Sequence, residues 1–373
     1  MTRLHGLDLA RALALIGMMA AHLGPGYPVT GGYPSVLFAV LAGVSMGIIS
    51  ARAPGELPDT RFRLLLRGVI LVGLGLMLSL AQTGIVEVLT AIGLSYVLLI
   101  PVVAWSARRL AILLAVLVLT GPLLIAADTY YVINWGDHAV ADLLTGTYPL
   151  LAWLAYLTVG LLIHRLVVTR GTTARQVWLA GTGLLLLAAV QLIIELTDFR
   201  VGPGDILNPV GAYLQGEPHT GGLFDVVGSA GAAMMVTGLC VLLCRVEAVV
   251  WVSYPLRALG SMSLTVYVAH LITTGWSRDN LISLDTAYDG QFRPLPEGDF
   301  GWTMYTPQET LAVAPVTMEP TWLWMFGAQL VVLLLFASLW RWRFRRGPLE
   351  WGVHRVIENS VENSVGSSPR AGN

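Results

Sequence analysis

The chain has 373 residues, of which 55% are hydrophobic and only 12% are charged, whereas about 25% of the residues of an ordinary soluble domain are charged. The mean hydropathy of +0.69 and repeated apolar runs of about 20 residues exclude a water-soluble globule and indicate a helical membrane protein. The 22 basic and 23 acidic residues leave a net charge of -1, so the total charge does not indicate a nucleic-acid partner.

Apolar stretches of the length needed to cross a bilayer recur along the whole chain. They predict an all-α, polytopic integral membrane bundle of about ten transmembrane helices, at roughly 9–23, 33–51, 66–82, 86–105, 110–127, 148–164, 177–195, 222–244, 258–276 and 321–340. Residues 1–357 are thus predicted to form one transmembrane domain, which includes a long extracytoplasmic loop at 277–320. The Ser-, Asn- and Gly-rich residues 358–373 are predicted to be a disordered tail.

The basic residues, all of them arginines, predict the orientation of these helices. With the N-terminus in the cytoplasm, all but Arg200, Arg278 and Arg293 fall on the cytoplasmic side. Because cytoplasmic loops of membrane proteins are enriched in Lys and Arg, we predict that both termini are cytoplasmic. The protein is then a multi-pass protein of the cell membrane.

The first predicted helix holds three ionisable residues, Asp8, Arg11 and His22. Such a residue inside a membrane span costs about 3 kcal/mol on insertion scales and needs a partner, water or a function. Asp8 and Arg11 are neighbours on one helix face, so a local ion pair is the structural interpretation. His22 lies about 16 Å and close to three full turns beyond Arg11. Arg11 and His22 therefore share a face, which suggests that they line a single passage.

A second histidine lies in the segment GSMSLTVYVAHL, where Ser263, Tyr267 and His270 recur at spacings of four and three. This spacing predicts a polar stripe on one face of a helix. A histidine can accept a proton from an attacking alcohol or amine because its unperturbed pKa, about 6.5, is near the working pH. The alternative is that Tyr267 and His270 are interfacial anchors near a helix end.

Small residues in two other helices have a simpler interpretation. Gly43 and Gly47 flank Ser45 with the spacing of a helix-packing device, and a substrate role for Ser45 is the second interpretation. Cys240 and Cys244 are one helical turn apart in an apolar run, which predicts small core residues rather than a disulfide. No spacing of His, Cys, Asp or Glu predicts a metal site.

Several segments resemble known membrane acyltransferases. The segment LDLARALALIGMMAAH has an Arg and a His separated by ten residues in the first helix, which resembles the signature of OafA-type acyltransferases. Further segments resemble the YeiB family and the heparan-alpha-glucosaminide N-acetyltransferase family. Together they cover both ends and most of the chain: LFAVLAGVSMGI, VLTAIGLSYVLL, YPLLAWLAYLTVGLLI, ALGSMSLTVYVAHL and RRGPLEWGVHRV.

The resemblance implies an enzyme that moves an acetyl group from cytoplasmic acetyl-CoA to an extracytoplasmic sugar, glycolipid or cell-envelope glycan. If the lysine-free composition marks an actinobacterium, a trehalose mycolate is one candidate acceptor. In the heparan-type enzymes an Asn stands at the position of His22, and their catalytic His follows in the next loop. The corresponding loop here, LGPGYPVTGGYPS, contains no His. The chemistry then falls to His22, as in the OafA-type pattern, or has been lost or moved in this branch.

The resulting hypothesis is acyl transfer through the bilayer. The phosphates of CoA cannot enter hydrocarbon, so the nucleotide is expected at the cytoplasmic mouth, held by four arginines: Arg11, Arg61, Arg63 and Arg67. His22 acts as the base or as a transient acyl carrier, with Asp8 beside Arg11 at the inner end. The acceptor is oriented, or the oxyanion stabilised, by one of three residues: Tyr267, Ser263 or His270.

Two other classes of protein are compatible with the same residues. Intramembrane charges also line the path of a glycolipid transporter or flippase. A non-catalytic membrane scaffold would use Arg11 and His22 only to pair with other helices. The oligomeric state is open, because packing glycines serve contacts within and between chains.

Overall fold

The computed structural model describes residues 4–23, 30–51, 57–81, 85–131, 143–197, 209–281 and 320–366, and within these ranges the regular secondary structure is helical throughout. The helices are α1 (His5–Leu23), α2 (Tyr33–Ala51), α3 (Leu57–Leu80), α4 (Leu89–Leu99), α5 (Ala107–Tyr131), α6 (Leu150–Ile163), α7 (Thr173–Thr197), α8 (Pro209–Leu214), α9 (Leu223–Leu243), α10 (Glu247–Val252), α11 (Tyr254–Ser261), α12 (Ser263–Leu281), α13 (Pro320–Arg343) and α14 (Pro348–Gly366). The predicted all-α class is therefore confirmed for the described part of the chain.

Eight of the described helices are long and apolar enough to cross a membrane, namely α1, α2, α3, α5, α6 together with the π-helical turn His164–Val168 that continues it, α7, α9 and α13. Their outer faces carry large exposed apolar side chains, such as Met77, Leu185 and Leu335, which are 68%, 69% and 58% exposed. A water-soluble protein does not expose this much apolar surface. Lipid is the environment that fits these helices.

Two predicted spans are absent from this set of eight. The span predicted at 86–105 contains only α4 and a short 3-10 turn, Ile100–Val102, which together reach about 20 Å, less than the hydrocarbon core of about 30 Å. The span predicted at 258–276 is broken at Met262, where α11 ends and α12 begins. The polar stripe of α12 also lowers its hydropathy. The count of ten and the cytoplasmic termini stay predictions.

Helix α1 lies at the centre of the bundle, where it packs against α2, α9, α11, α12 and α13. Glycines permit the closest helix crossings. A Cβ at Gly43 of α2 would collide with the carbonyl oxygen of Leu157 in α6, and one at Gly47 would lie 2.5 Å from the ring of His164. The packing role predicted for Gly43 and Gly47 is therefore confirmed.

The last described helix corrects the predicted tail. Residues 358–366, predicted to be disordered, belong to α14. Ile357 and Val361 are buried on one face of this helix, and Glu358 forms an ion pair with Arg63 of α3. Because these apolar and charged contacts hold α14 against the bundle, the composition of the segment misled the prediction. Residues 367–373 lie outside the described residues.

Two other predictions fall largely outside the described residues. Of the long loop predicted at 277–320, residues 282–319 are not among those that the structure describes. Arg200 and Arg293, two of the three arginines predicted to be extracytoplasmic, also lie outside them.

Candidate functional site

A cavity of about 510 Å³ opens beside the first half of α1. Its wall comes from α1, α2, α3, α4, α11, α12 and α14. One part of the wall is apolar and includes Phe38, Leu71 and Ile92. The remainder is polar and is formed by Asp8, Arg11, Ser45, Arg67, Tyr96, Ser261, Ser263 and Glu350.

Arg11 is held in this wall by two neighbours. Its Nη1 donates to Asp8 Oδ1 at 3.1 Å, and its Nη2 donates to Ser45 Oγ at 2.7 Å. The ion pair expected from the spacing of Asp8 and Arg11 is therefore confirmed. Ser45 has a second role beside the packing role of its flanking glycines, because its hydroxyl fixes the Arg11 guanidinium.

Arg67 enters the same cavity from α3. Its side chain approaches the hydroxyl of Tyr96, which donates to the carbonyl oxygen of Ala42 at 2.8 Å. The Nε of Arg67 is buried and has no hydrogen-bond partner among the described residues. Because no described carboxylate pairs with Arg67, its guanidinium can bind an anionic group.

The other two arginines predicted to bind CoA do not line the cavity. Arg61 is exposed on α3, and Arg63 pairs with Glu358 of α14. The structure therefore brings two of the four predicted arginines, Arg11 and Arg67, into one cavity.

Glu350 completes the polar wall, although the sequence analysis did not select it. Its Oε1 accepts from the backbone N–H groups of Leu264 and Thr265 at 2.7 and 3.2 Å, and its Oε2 accepts from Thr265 Oγ1 at 2.6 Å. These groups form the start of α12, next to Ser263. A carboxylate stabilises the positive end of a helix, so Glu350 joins α14 to the first turn of α12.

At the other end of α1, His22 meets His270 of α12. The two rings are stacked with centroids 5.5 Å apart and an interplanar angle of 23°. His270 is only 1% exposed, whereas His22 is half-buried. Both histidines were candidates from the sequence, but no spacing indicated that they touch.

Gln329 of α13 was missed by the sequence analysis. Its Oε1 lies 2.8 Å from Nδ1 of His270, and the Oγ1 of Thr274 lies 3.1 Å from the same nitrogen. The other ring nitrogen, Nε2, is buried without a hydrogen-bond partner among the described residues. The only signal in the sequence was a single amide in an otherwise apolar helix.

An aromatic pair separates the cavity from the two histidines. Tyr267, on the same face of α12 as His270, stacks on Phe38 with ring centroids 5.8 Å apart, and its hydroxyl accepts from the backbone N–H of Val88 at 3.1 Å. Phe38 lines the cavity, but neither histidine does. This cavity therefore reaches Arg11 but not His22, and the single passage predicted to join them stays a prediction.

A smaller polar cluster lies at the start of α9. Asp225 accepts from the backbone N–H of Gly221 and from Ser229 Oγ, both at 3.0 Å, and His219 packs edge-on against Tyr148 at 5.5 Å. The adjoining space holds about 10 Å³, which is enough for about one water molecule. These contacts tie the loop before α9 to the first turn of the helix.

No protein-family model matches the chain, and no curated protein matches it. The class of protein therefore rests on the helices and the two sites. The described residues form a helical bundle suited to a bilayer, with a polar cavity that holds two arginines and two carboxylates at one end of α1 and the stacked histidines at the other.

Proposed function

We propose that this protein is an integral membrane acyltransferase that moves an acetyl or other acyl group from acyl-CoA to a sugar or glycolipid acceptor. One observation carries the proposal. A single helix, α1, presents Arg11 to a large cavity and His22 to a buried histidine partner. Such an enzyme needs a cationic group to bind the phosphates of the acyl donor and an imidazole to take the proton of the acceptor. The resemblance of the α1 segment to acyltransferases supports the same assignment.

The cavity is the proposed donor site. Its volume of about 510 Å³ is within the range of about 300–1,000 Å³ for small-molecule sites. Arg67 has no carboxylate partner among the described residues, whereas Arg11 is paired with Asp8, so Arg67 is the stronger phosphate ligand of the two. The apolar wall around Phe38 suits the pantetheine arm.

The histidine pair is the proposed reaction centre. The acceptor oxygen attacks the thioester carbonyl carbon while an imidazole takes the acceptor's proton, and the C–S bond then breaks to release the CoA thiolate. The hydroxyl of Tyr267 accepts a hydrogen bond from Val88 and keeps its own proton, which it can donate to the oxyanion. Since Phe38 and Tyr267 separate the two sites, the donor must displace this stack before transfer.

The proposed topology has both termini and the Arg11 end of α1 in the cytoplasm of a cell-membrane protein. Helices α4 and α12 complete ten membrane segments in this scheme. The donor then enters from the cytoplasm and the acceptor from the opposite side, where a glycolipid of the cell envelope, such as a trehalose mycolate, is the proposed acceptor.

The test uses the full-length protein in proteoliposomes with acetyl-labelled CoA and a panel of trehalose and other glycolipids. We expect label in an acceptor, with release of one CoA for each acetyl group transferred. His270→Ala and His22→Ala should abolish transfer, whereas the control His354→Ala, at a partly exposed position on α14, should retain it.

Two results would contradict the assignment of this protein as an acyltransferase. The first is that folded protein transfers no label and releases no CoA with any acceptor. The second is that a glycolipid crosses the bilayer in the absence of CoA, which would identify a transporter.

A further inference from the structure

His270 is hydrogen-bonded on one side of its ring only. Gln329 and Thr274 both contact Nδ1, at 2.8 and 3.1 Å. Nε2 is shielded from solvent in a residue that is 1% exposed, and it lacks a partner within the described part of the chain. Buried polar atoms are almost always hydrogen-bonded in proteins. An unpartnered ring nitrogen beside a second histidine therefore suggests a position for a ligand.

The hydrogen bonds of Gln329 determine which way its amide points. Its Nε2 donates to Thr273 Oγ1 at 2.6 Å and lies 3.2 Å from Thr274 Oγ1 and 3.4 Å from the carbonyl oxygen of His270. A flipped amide would place its oxygen against that carbonyl oxygen, and two acceptors repel each other. The amide oxygen therefore faces the imidazole.

The amide in turn determines the tautomer of His270. An amide oxygen only accepts hydrogen bonds, so Nδ1 must carry the ring proton and donate it to Gln329. Nε2 of the neutral ring then holds the free lone pair. That lone pair is on the unpartnered atom, where it is available to accept a proton.

Building on the acyl transfer proposed above, we propose that His270 is the catalytic base and that Gln329 is the positioning residue that sets its tautomer. The acceptor's O–H bond breaks, its proton moves to Nε2 of His270, and its oxygen forms the new bond to the acyl carbon. The C–S bond of the thioester breaks, and the leaving thiolate takes a proton from the imidazolium. His22, stacked on His270, flanks the acceptor.

A neutral partner is suited to this location. Many catalytic histidines are oriented by an aspartate, but an unpaired carboxylate in an apolar interior is costly. Gln329 is on α13, an apolar helix of the set that can cross a membrane. Its amide supplies the acceptor that orients the ring without adding a charge.

The tautomer can be measured without any enzymatic reaction. The chain has seven histidines, so His270 can be assigned in the 15N spectrum of histidine-labelled protein in lipid nanodiscs by its loss in His270→Gln. We expect a protonated Nδ1 and a bare Nε2 in the wild type. Gln329→Met should shift the proton toward Nε2, whereas the control Thr273→Val, which alters a Gln329 partner that does not touch the ring, should not. A proton on Nε2 in the wild type would overturn the inference.

Kinetics test the catalytic role. We expect Gln329→Met to lower kcat at least tenfold, by loss of the correct tautomer, with little change in KM for acyl-CoA. Equal kcat in wild type and Gln329→Met would refute the role of Gln329. If the wild type has the expected tautomer but transfers no acyl group, then the proposed function and the role of His270 as base are both wrong. The tautomer set by Gln329 would still be correct.

Discussion

Arg11 and Arg67 share a cavity but differ in how their charge is used. Asp8 neutralises Arg11 at 3.1 Å, and Ser45 occupies another of its donors. Arg67 keeps a buried Nε with no partner among the described residues. A charge already paired and hydrogen-bonded has less to gain from a new anion. The two arginines therefore differ in their expected contribution to donor binding.

We expect Arg67→Gln to weaken acyl-CoA binding by about tenfold or more, because a hydrogen bond to a charged group is worth about 1.5–3 kcal/mol. Equilibrium binding of labelled CoA to the protein in nanodiscs provides the measurement. The matched control is Arg61→Gln, which removes an exposed arginine of the same helix. Equal losses in the two variants would show that the charge acts at long range and not in the cavity.

His219 makes the stability of the folded protein depend on pH. Burial lowers its pKa below the usual value, so the unfolded chain binds a proton at a higher pH than the folded chain does. The stability from the neutral ring is full above pH 6.5 and is lost as the pH falls through the lower, folded pKa. We therefore expect acidification from about pH 7.5 to about pH 5 to lower the melting temperature of the wild type more than that of His219→Gln. Equal acid sensitivity of the two proteins would contradict this prediction.

At the scale of helices, the crossing of α2 and α6 depends on the absence of a side chain. A Cβ at Gly43 would overlap the carbonyl oxygen of Leu157, and Gly160 of α6 faces α2 with the same restriction. We expect Gly43→Ala to destabilise the protein by about 1–3 kcal/mol through overpacking. The control is Gly73→Ala in α3, where a Cβ meets nothing within 4 Å. Thermal unfolding in detergent measures both, and a similar melting temperature for the two variants would refute the close crossing.

Helix α12 begins at a cap supplied by another helix. Glu350 accepts both backbone N–H bonds of Leu264 and Thr265. Loss of a cap costs about 0.5–2 kcal/mol, so we expect Glu350→Ala to fray this turn. Faster hydrogen exchange of the Leu264 and Thr265 amides is the measurement. Glu362→Ala, at an exposed position on the same helix as Glu350, should leave that exchange unchanged.

The sequence predicted the elements better than it predicted their contacts. Local spacing was enough to place Asp8 beside Arg11 and to put Tyr267 and His270 on one face. The contact between His22 and His270 joins residues that are far apart in the chain, and no periodicity encodes such a contact. Gln329 was missed for the same reason, because its meaning depends on the ring that α12 places beside it.

Two predicted segment boundaries were wrong, each for a physical reason. Hydropathy averages over a window, so it joined α11 and α12 across the break at Met262. Composition predicted disorder from residue 358 onward, but Val361 is buried and Glu358 pairs with Arg63. Contacts of a few residues outweigh the average character of the segment.

At the scale of the whole molecule, the arginines predict a single orientation. We expect a fluorescent protein fused to the C-terminus to be bright and a phosphatase fused at the same position to be inactive, because both termini are predicted to be cytoplasmic. The control is a phosphatase inserted in the loop between α7 and α9, predicted to be extracytoplasmic, which should be active. An active C-terminal phosphatase would reverse the topology and the direction of proposed transfer.

The position of Glu350 also affects biosynthesis. Among the described helices, α1, with Asp8 and Arg11, is synthesised before the others, and the helix that carries Glu350 is synthesised last. Until that helix is translated and docks on α3 and α12, one wall of the cavity is missing and the first turn of α12 lacks its cap. The nascent chain must therefore hold the Asp8–Arg11 ion pair in an incomplete bundle until α14 is made. A stop codon upstream of Glu350 should leave a product that is inserted but without a closed cavity, and such a product is a natural substrate for membrane quality-control proteases.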